Sequence, residues 1–282
     1  MTDIARLLQS RSFVELGARQ RARALLDAGS FRELLGPFDR LMSPWLPRQG
    51  IVPQADDGVV IAKGLLNGRN TVIAAIEGAF QGGSMGEVGG AKIAGALELA
   101  IEDNRNGIPT CAVLLLETGG VRLQEANLGL AAIAEIQAAI VELRGHQPVI
   151  GLIAGSVGCF GGMSIAAGLC SHLLVTREAR LGLNGPQVIE QEAGIAEYDA
   201  KDRPFIWSLT GGEQRHASGL VDGYVADDVD SIRQHLLQLL ETPSANRAGC
   251  HAWYLERLAS LGVDCPQLDA AAVRALYQGD AP

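Results

Sequence analysis

The chain has 282 residues, 48% of them apolar and 20% charged, and a net charge of −9. That length and apolar share fit one large α/β domain with appendages or two smaller domains, and they exclude wholesale disorder. The negative charge argues against partners such as nucleic acid or an anionic membrane surface.

The cysteines are Cys111, Cys159, Cys170, Cys250 and Cys265. None forms a CxxC pair, which excludes a zinc ribbon or a thioredoxin-type motif, and the histidines share no ligand spacing, so no metal site is expected. An odd cysteine count suits reduced thiols and a cytoplasmic location. The start, Met1 to Arg6, carries no signal-peptide core. One uncharged segment, 148 to 176, is long enough to span a bilayer. Its glycines and His172 break it, and a buried strand, a glycine turn and a packed helix account for it better.

In chain order, residues 3 to 42 read as helical, with Leu7, Leu8, Leu25, Leu26, Leu34 and Leu35 supplying apolar faces. Pro37, Pro44, Pro47 and Pro53 then mark a loop or linker. From Asp57 two apolar runs, Val59 to Ala62 and Thr71 to Ile76, flank Asn67-Gly68, a hairpin signal. A helix follows Gly86 and ends near Asn106-Gly107, before Pro109. The strand Thr110 to Leu116 leads to a long helix with Leu130, Ile133, Ile136, Ile140 and Leu143 on one side. Val149 to Ala154 reads as a strand, a helix follows Gly162, and His172 to Thr176 is a further strand. Beyond Pro204 the pattern turns helical over 205–209, 229–241, 247–261 and 270–277. Strand–helix alternation of this kind predicts right-handed crossovers and a parallel sheet. Three parts are expected: an arm over 1–50, a core over 51–228 and a helical extension over 229–282.

Three apolar runs end in glycine pairs: Gly82-Gly83, Gly119-Gly120 and Gly161-Gly162. A glycine pair between strand and helix bares backbone N–H groups at the positive end of the helix dipole. Such groups hold an anion, or an oxygen that becomes one during reaction. The chemistry needs one N–H from each of two loops meeting at one atom. Gly120 or Val121 supplies one, and Gly161 or Gly162 the other; Gly119, Gly82 and Gly83 would line the substrate. Taken singly, each pair is equally a tight turn. None is a GxGxxG followed by an acidic residue, and none precedes Lys-Ser or Lys-Thr, which excludes a dinucleotide fold and a P-loop.

Four blocks in order resemble the acyl-CoA carboxyltransferase branch of the crotonase superfamily. They are Ala18 to Leu34; Gly82-Gly83-Ser84-Met85-Gly86-Glu87-Val88 with Lys92-Ile93; Gly119 to Glu125; and Gly155 to Gly162. A weaker echo is His216 to Asp222. The resemblance covers about residues 18 to 225. Within that branch the chain is most similar to beta subunits of biotin-independent malonate decarboxylases, in its length, its missing zinc ribbon and Glu117-Thr118-Gly119-Gly120-Val121-Arg122. Val121 departs from the usual Ala of carboxyltransferases, which leaves the main-chain donor in place.

The resemblance implies a crotonase-like spiral of ββα units with a helical N-terminal arm and a helical C-terminal extension. It implies a catalytic subunit that decarboxylates a malonyl-[acyl carrier protein] to acetyl-[acyl carrier protein] and CO2. Its partners would be a gamma subunit with a second crotonase-like domain, an acyl carrier protein and an acyl-transferase subunit. The phosphoribosyl-dephospho-coenzyme A prosthetic group sits on the carrier, and this chain would bind no cofactor of its own.

The acid that protonates the enolate is open among Glu125, Glu190, Glu192, Tyr198, water and the partner. Arg122 and Glu125, at three-residue spacing, read as an ion pair that fixes the loop. Cys159 reads as packing, and Ser156 and Ser164 lack a GxSxG elbow. Asn184 to Gln187 reads as a turn that could border the substrate. Arg177, Arg180, Lys201 and Arg203 read as a solvated face, or as a contact for phosphates or an acidic carrier. Competing readings are a biotin-dependent acyl-CoA carboxyltransferase subunit, a lone hydratase or isomerase, and a scaffold.

Overall fold

The computed structural model describes residues 10–53, 57–243, 247–261 and 268–277. Helix α1 spans Ala18–Leu25, and strand β1 spans Arg32–Leu35. Strands β2 (Val59–Leu66) and β3 (Arg69–Ile76) form a hairpin, followed by α2 (Glu87–Arg105), β4 (Thr110–Leu115) and α3 (Ala126–Leu143). Then come β5 (Val149–Ile153), α4 (Gly162–Leu169), β6 (His172–Thr176), α5 (Pro186–Ala193), α6 (Arg203–Thr210) and α7 (Gly212–Ala217). Strand β7 (Gly223–Val225) and helices α8 (Val229–Glu241), α9 (Arg247–Ala259) and α10 (Ala270–Leu276) complete it.

The seven strands lie in sequence order in one sheet. β1 to β3 pair antiparallel, and β3 to β7 pair parallel. Each parallel strand therefore lies beside the one before it, so successive right-handed crossovers put α2, α3 and α4 on one face. Even-numbered residues such as Val72, Ala74, Ala112 and Leu114 meet Ile93, Leu97, Ile136 and Met163 there. Their odd neighbours Ile73, Val113 and Leu115 face Ala22 and Leu25 of α1 and Ile232 and Leu236 of α8. Period-2 alternation thus feeds two apolar layers.

Asn67 and Gly68 have positive φ, 51° and 78°, as a two-residue hairpin turn of the primed type requires. Asp27 caps that turn, accepting from Asn67 N at 2.9 Å and Gly68 N at 2.8 Å. The arm differs from the expected long helix: among its described residues α-helix is confined to Ala18–Leu25, and Leu34 and Leu35 belong to a strand. Gly29, at φ 79°, turns the chain so that Arg32–Leu35 joins the free edge of β2. Edge pairing overrides the helical spacing of the leucines. Leu7, Leu8 and Cys265 lie outside the described residues, as does the side chain of Cys250. The uncharged 148–176 segment folds as β5, a loop, α4 and β6. Among the described residues no helix is long and apolar enough to cross a membrane.

Candidate active site

The loops leaving β3, β4, β5 and β6 emerge on the carboxyl edge of the parallel strands, where α/β folds place ligands. Single-residue parallel bridges knit them together: Met85 to Val121, Thr118 to Cys159, and Cys159 to Leu181. The second and third glycine pairs touch. A Cβ built on Gly120 would lie 3.1 Å from the Phe160 carbonyl oxygen and 3.3 Å from Gly161 Cα. Both glycines hold positive φ, 106° and 59°.

The amides at this junction differ in occupancy. Gly120 N donates to Thr118 Oγ1 at 3.1 Å, and Gly161 N donates to the Leu183 carbonyl at 2.7 Å. Met85 N donates to Gly120 O, and Arg122 N donates to Met85 O, so the bridge turns the Val121 N–H away from Met85. Gly162 is the first residue of α4, where an amide has no intrahelical acceptor. The described residues give neither the Val121 nor the Gly162 amide a partner, and Val121, Gly161 and Gly162 are partly exposed.

Gly119 N donates to Gly82 O at 2.9 Å. Both glycines border a cleft of about 1210 Å³. Gly83, expected to line the substrate, is instead buried and does not border the cleft: a Cβ there would fall 1.9 Å from the Glu117 carbonyl oxygen. Gly185, Pro186 and Gln187 also border the cleft, as the start of α5 and not as a simple turn. Arg177, Arg180, Arg203 and Arg274 border the cleft together with Glu178 and Glu213, so its charged lining is cationic on balance. Arg180 lies over the rings of Phe160 (5.4 Å) and Trp207 (4.6 Å) and donates through Nη2 to the Ser156 carbonyl at 2.5 Å. Burial lowers its pKa from the ordinary arginine value.

Arg122 and Glu125 form the expected ion pair, Nη1 to Oε1 at 2.8 Å, with both side chains buried. Glu125 Oε2 accepts from Glu87 N at 2.7 Å, anchoring the first turn of α2. Both its oxygens are thus engaged in holding loops. Glu190 accepts from Ala200 N at 2.7 Å, and Glu192 is exposed on α5. The Tyr198 hydroxyl is buried without a hydrogen-bond partner among the described residues, its ring packs edge-on to Phe205, and burial raises its pKa. Cys159 is fully buried, and burial pushes its thiol well above the ordinary range, which fits packing. Ser164 Oγ donates to the Gly161 carbonyl at 2.7 Å. Among the described residues no group of three or more His, Cys, Asp or Glu is placed to hold a metal ion.

Two residues escaped the sequence reading. Trp207, which backs Arg180, is signalled by nothing local. Glu117 carries one signal: a lone carboxylate closing the apolar run Cys111 to Leu116 has to be buried and therefore paired.

A spiral of strand–helix units with paired glycine loops at the carboxyl edge defines a crotonase-like, carboxyltransferase-type fold. Residues 13–249 match the carboxyl transferase domain model, and the chain belongs to that family. It is 41% identical over 246 residues, 84% of this chain and 77% of the relative, to malonyl-S-ACP:biotin-protein carboxyltransferase MADC of Malonomonas rubra. Among solved structures it is similar to a chain of a Pseudomonas malonate decarboxylase hetero-tetramer in complex with malonate. There the identity is 74%, the TM-score 0.90, and the coverage 98% of this chain and 100% of that one. A Pseudomonas malonate decarboxylase MdcD-MdcE hetero-dimer gives 65% identity, a TM-score of 0.76 and coverage of 92% and 100%. These likenesses bear out the resemblance to malonate decarboxylase subunits carried by the glycine-rich blocks.

Proposed function

We propose that this chain is the carboxyltransferase-type subunit of a cytoplasmic malonate decarboxylase complex, acting as a carbon–carbon lyase on a malonyl thioester. The three relatives named above are a malonyl-S-ACP carboxyltransferase and two malonate decarboxylase assemblies, the latter a hetero-tetramer and a hetero-dimer. The observation that carries the reading is the pair of unoccupied amides, Val121 and Gly162, on two loops in contact.

Loss of CO2 breaks the bond between the carboxyl carbon and the methylene carbon, and the electron pair moves to the thioester carbonyl. Charge gathers on that oxygen as the enolate forms. Two backbone donors aimed there lower the barrier, each by about 3 kcal/mol. Little else is required beyond holding the carboxylate out of the carbonyl plane, in a place that disfavours its charge. A proton delivered to the carbon then gives the acetyl thioester. Glu125 is committed to Arg122 and the Glu87 amide. Water or a group of a partner subunit is therefore the better proton source.

The substrate in this reading is malonyl held on the phosphoribosyl-dephospho-coenzyme A arm of an acyl carrier protein, loaded by an acyl-transferase subunit. The guanidinium groups of Arg177, Arg203 and Arg274 suit the phosphates of such an arm. A gamma subunit with a second crotonase-like domain would complete the site. The test is to co-purify the assembled complex and assay CO2 release from malonyl carrier protein without biotin or ATP. Release that avidin does not block supports the reading; an absolute need for a biotinylated acceptor would replace it with the transfer reaction named for the M. rubra relative.

A further inference from the structure

Glu117 sits where β4 ends, and its side chain is 5% exposed. Its Oε1 accepts from Val157 N at 2.7 Å and from Gly158 N at 3.3 Å, both in the loop that ends at Gly161-Gly162. Its Oε2 accepts from Arg21 Nη1 at 3.0 Å. Arg21, itself buried, is fixed by the carbonyls of Phe13 (3.0 Å) and Val14 (2.6 Å) in the N-terminal arm. Every polar atom of this carboxylate is therefore used in joining the arm to the third glycine loop.

The backbone around it repeats the pattern. Thr118 N donates to Gly158 O at 2.7 Å, and Phe160 N donates to Thr118 O at 3.1 Å, so the second and third loops run side by side from Glu117 onward. Space for the carboxyl group is carved by two glycines. A Cβ on Gly155 would lie 1.8 Å from Glu117 Oε2, and one on Gly78 would lie 2.4 Å from its Cγ. The carboxylate is thus enclosed by β3, β4 and β5 loops and cannot reach the cleft. A charge so enclosed is costly unless paired, which explains the buried Arg21.

We propose that Glu117 is a positioning residue: through the Val157 and Gly158 amides it sets the register of the Gly155–Gly162 loop against the Gly119–Val121 loop, and Arg21 ties that register to the N-terminal arm. The inference rests on the reading of those loops as the enolate-holding pair. Displacing one loop by about 1 Å costs about a hundredfold in rate. The arm thereby contributes to turnover without touching substrate.

The experiment uses the assembled complex and three forms of this chain: wild type, Glu117→Asp, and the double variant Arg21→Met with Glu117→Gln. Asp keeps the charge but falls one methylene short of the amides. Gln keeps an acceptor for the Val157 amide, and Met removes the cation that would otherwise face a donor. The expected result for Glu117→Asp is a kcat lower by about a hundredfold with KM within threefold. Hydrogen exchange should be faster in peptides covering 155–162 and unchanged in those covering 110–115 and 149–153. The double variant, which keeps an acceptor for the Val157 amide but loses the Arg21 tie to the arm, should have a kcat at least tenfold above that of Glu117→Asp and below that of wild type. A Glu117→Asp complex with wild-type kcat and wild-type exchange in 155–162 would overturn the proposal. So would uniform loss of protection across the sheet, which marks a purely structural residue. If the wild-type complex releases no CO2, the functional reading fails, and the exchange measurement still decides whether Glu117 fixes the loop.

Discussion

Gly120 and Gly161 face each other across two loops, and a methyl group on either would lie 3.3 Å from the other's Cα. Both also hold backbone angles that side chains resist, φ 106° and φ 59°. The contact explains why glycine stands at both positions: it lets two amide-bearing turns approach more closely than any pair of side chains allows.

Replacing Gly161 by Ala should therefore separate the loops or twist them. The expected outcome is a kcat lower by about 10²–10³-fold, the scale of losing one oxyanion donor, with assembly retained. Steady-state kinetics alongside size-exclusion chromatography of the complex would check this. Turnover within threefold of wild type would contradict it.

Arg122→Met leaves Glu125 buried without its cation. Breaking a buried pair from one side costs about 3–5 kcal/mol, whereas replacing both partners by apolar groups is far milder. Urea unfolding should show Arg122→Met well below wild type, and Arg122→Met with Glu125→Met should recover much of the loss. Equal stability of the two variants would mean that the pair does not hold the α2 turn.

Tyr198→Phe removes a buried hydroxyl that has no hydrogen-bond partner among the described residues. Such a group contributes nothing where it stands, so Phe should leave stability within about 1 kcal/mol of wild type or raise it. Turnover should be unchanged, because the hydroxyl is buried away from solvent. A hundredfold fall in kcat with the fold intact would instead make Tyr198 the proton donor.

Asp27 has a lowered pKa, chiefly because its carboxylate accepts from the Gly68 amide, then from Asn67, with Arg233 adding to both. A lowered folded-state value means stability that is present above the unfolded value of about 4 and lost as pH falls through the folded value. Asp27→Asn should cost about 1 kcal/mol at neutral pH, and the gap should close as pH drops below about 4. A gap that stays constant down to pH 2 would show that the charge plays no part.

The parallel half of the fold was legible because each element announces itself locally. Thr110 to Leu116 and His172 to Thr176 are short apolar runs, and Asn67-Gly68 marks its hairpin. The arm was not legible, since Leu34 and Leu35 keep helical spacing with Leu25 and Leu26, and only the open edge of β2 draws Arg32–Leu35 into the sheet. At the site, the glycine pairs were visible, but which amide of each stays unpaired depends on distant acceptors such as the Leu183 carbonyl. The role of Glu117 is hidden in the sequence for the same reason: its partners Arg21 and Val157 lie 96 and 40 residues away.

Gly162 offers the most direct measurement of the claim that a main-chain N–H at the third loop holds the enolate oxygen. As the first residue of α4, it is a place where proline removes the N–H with little harm to the helix. Alanine adds a comparable contact, a Cβ 3.1 Å from Ile133 Cγ2, while keeping the donor. CO2 release from malonyl carrier protein should be at least about a hundredfold slower in kcat for Gly162→Pro than for Gly162→Ala, with KM alike. Equal kcat in the two assembled variants would contradict the account.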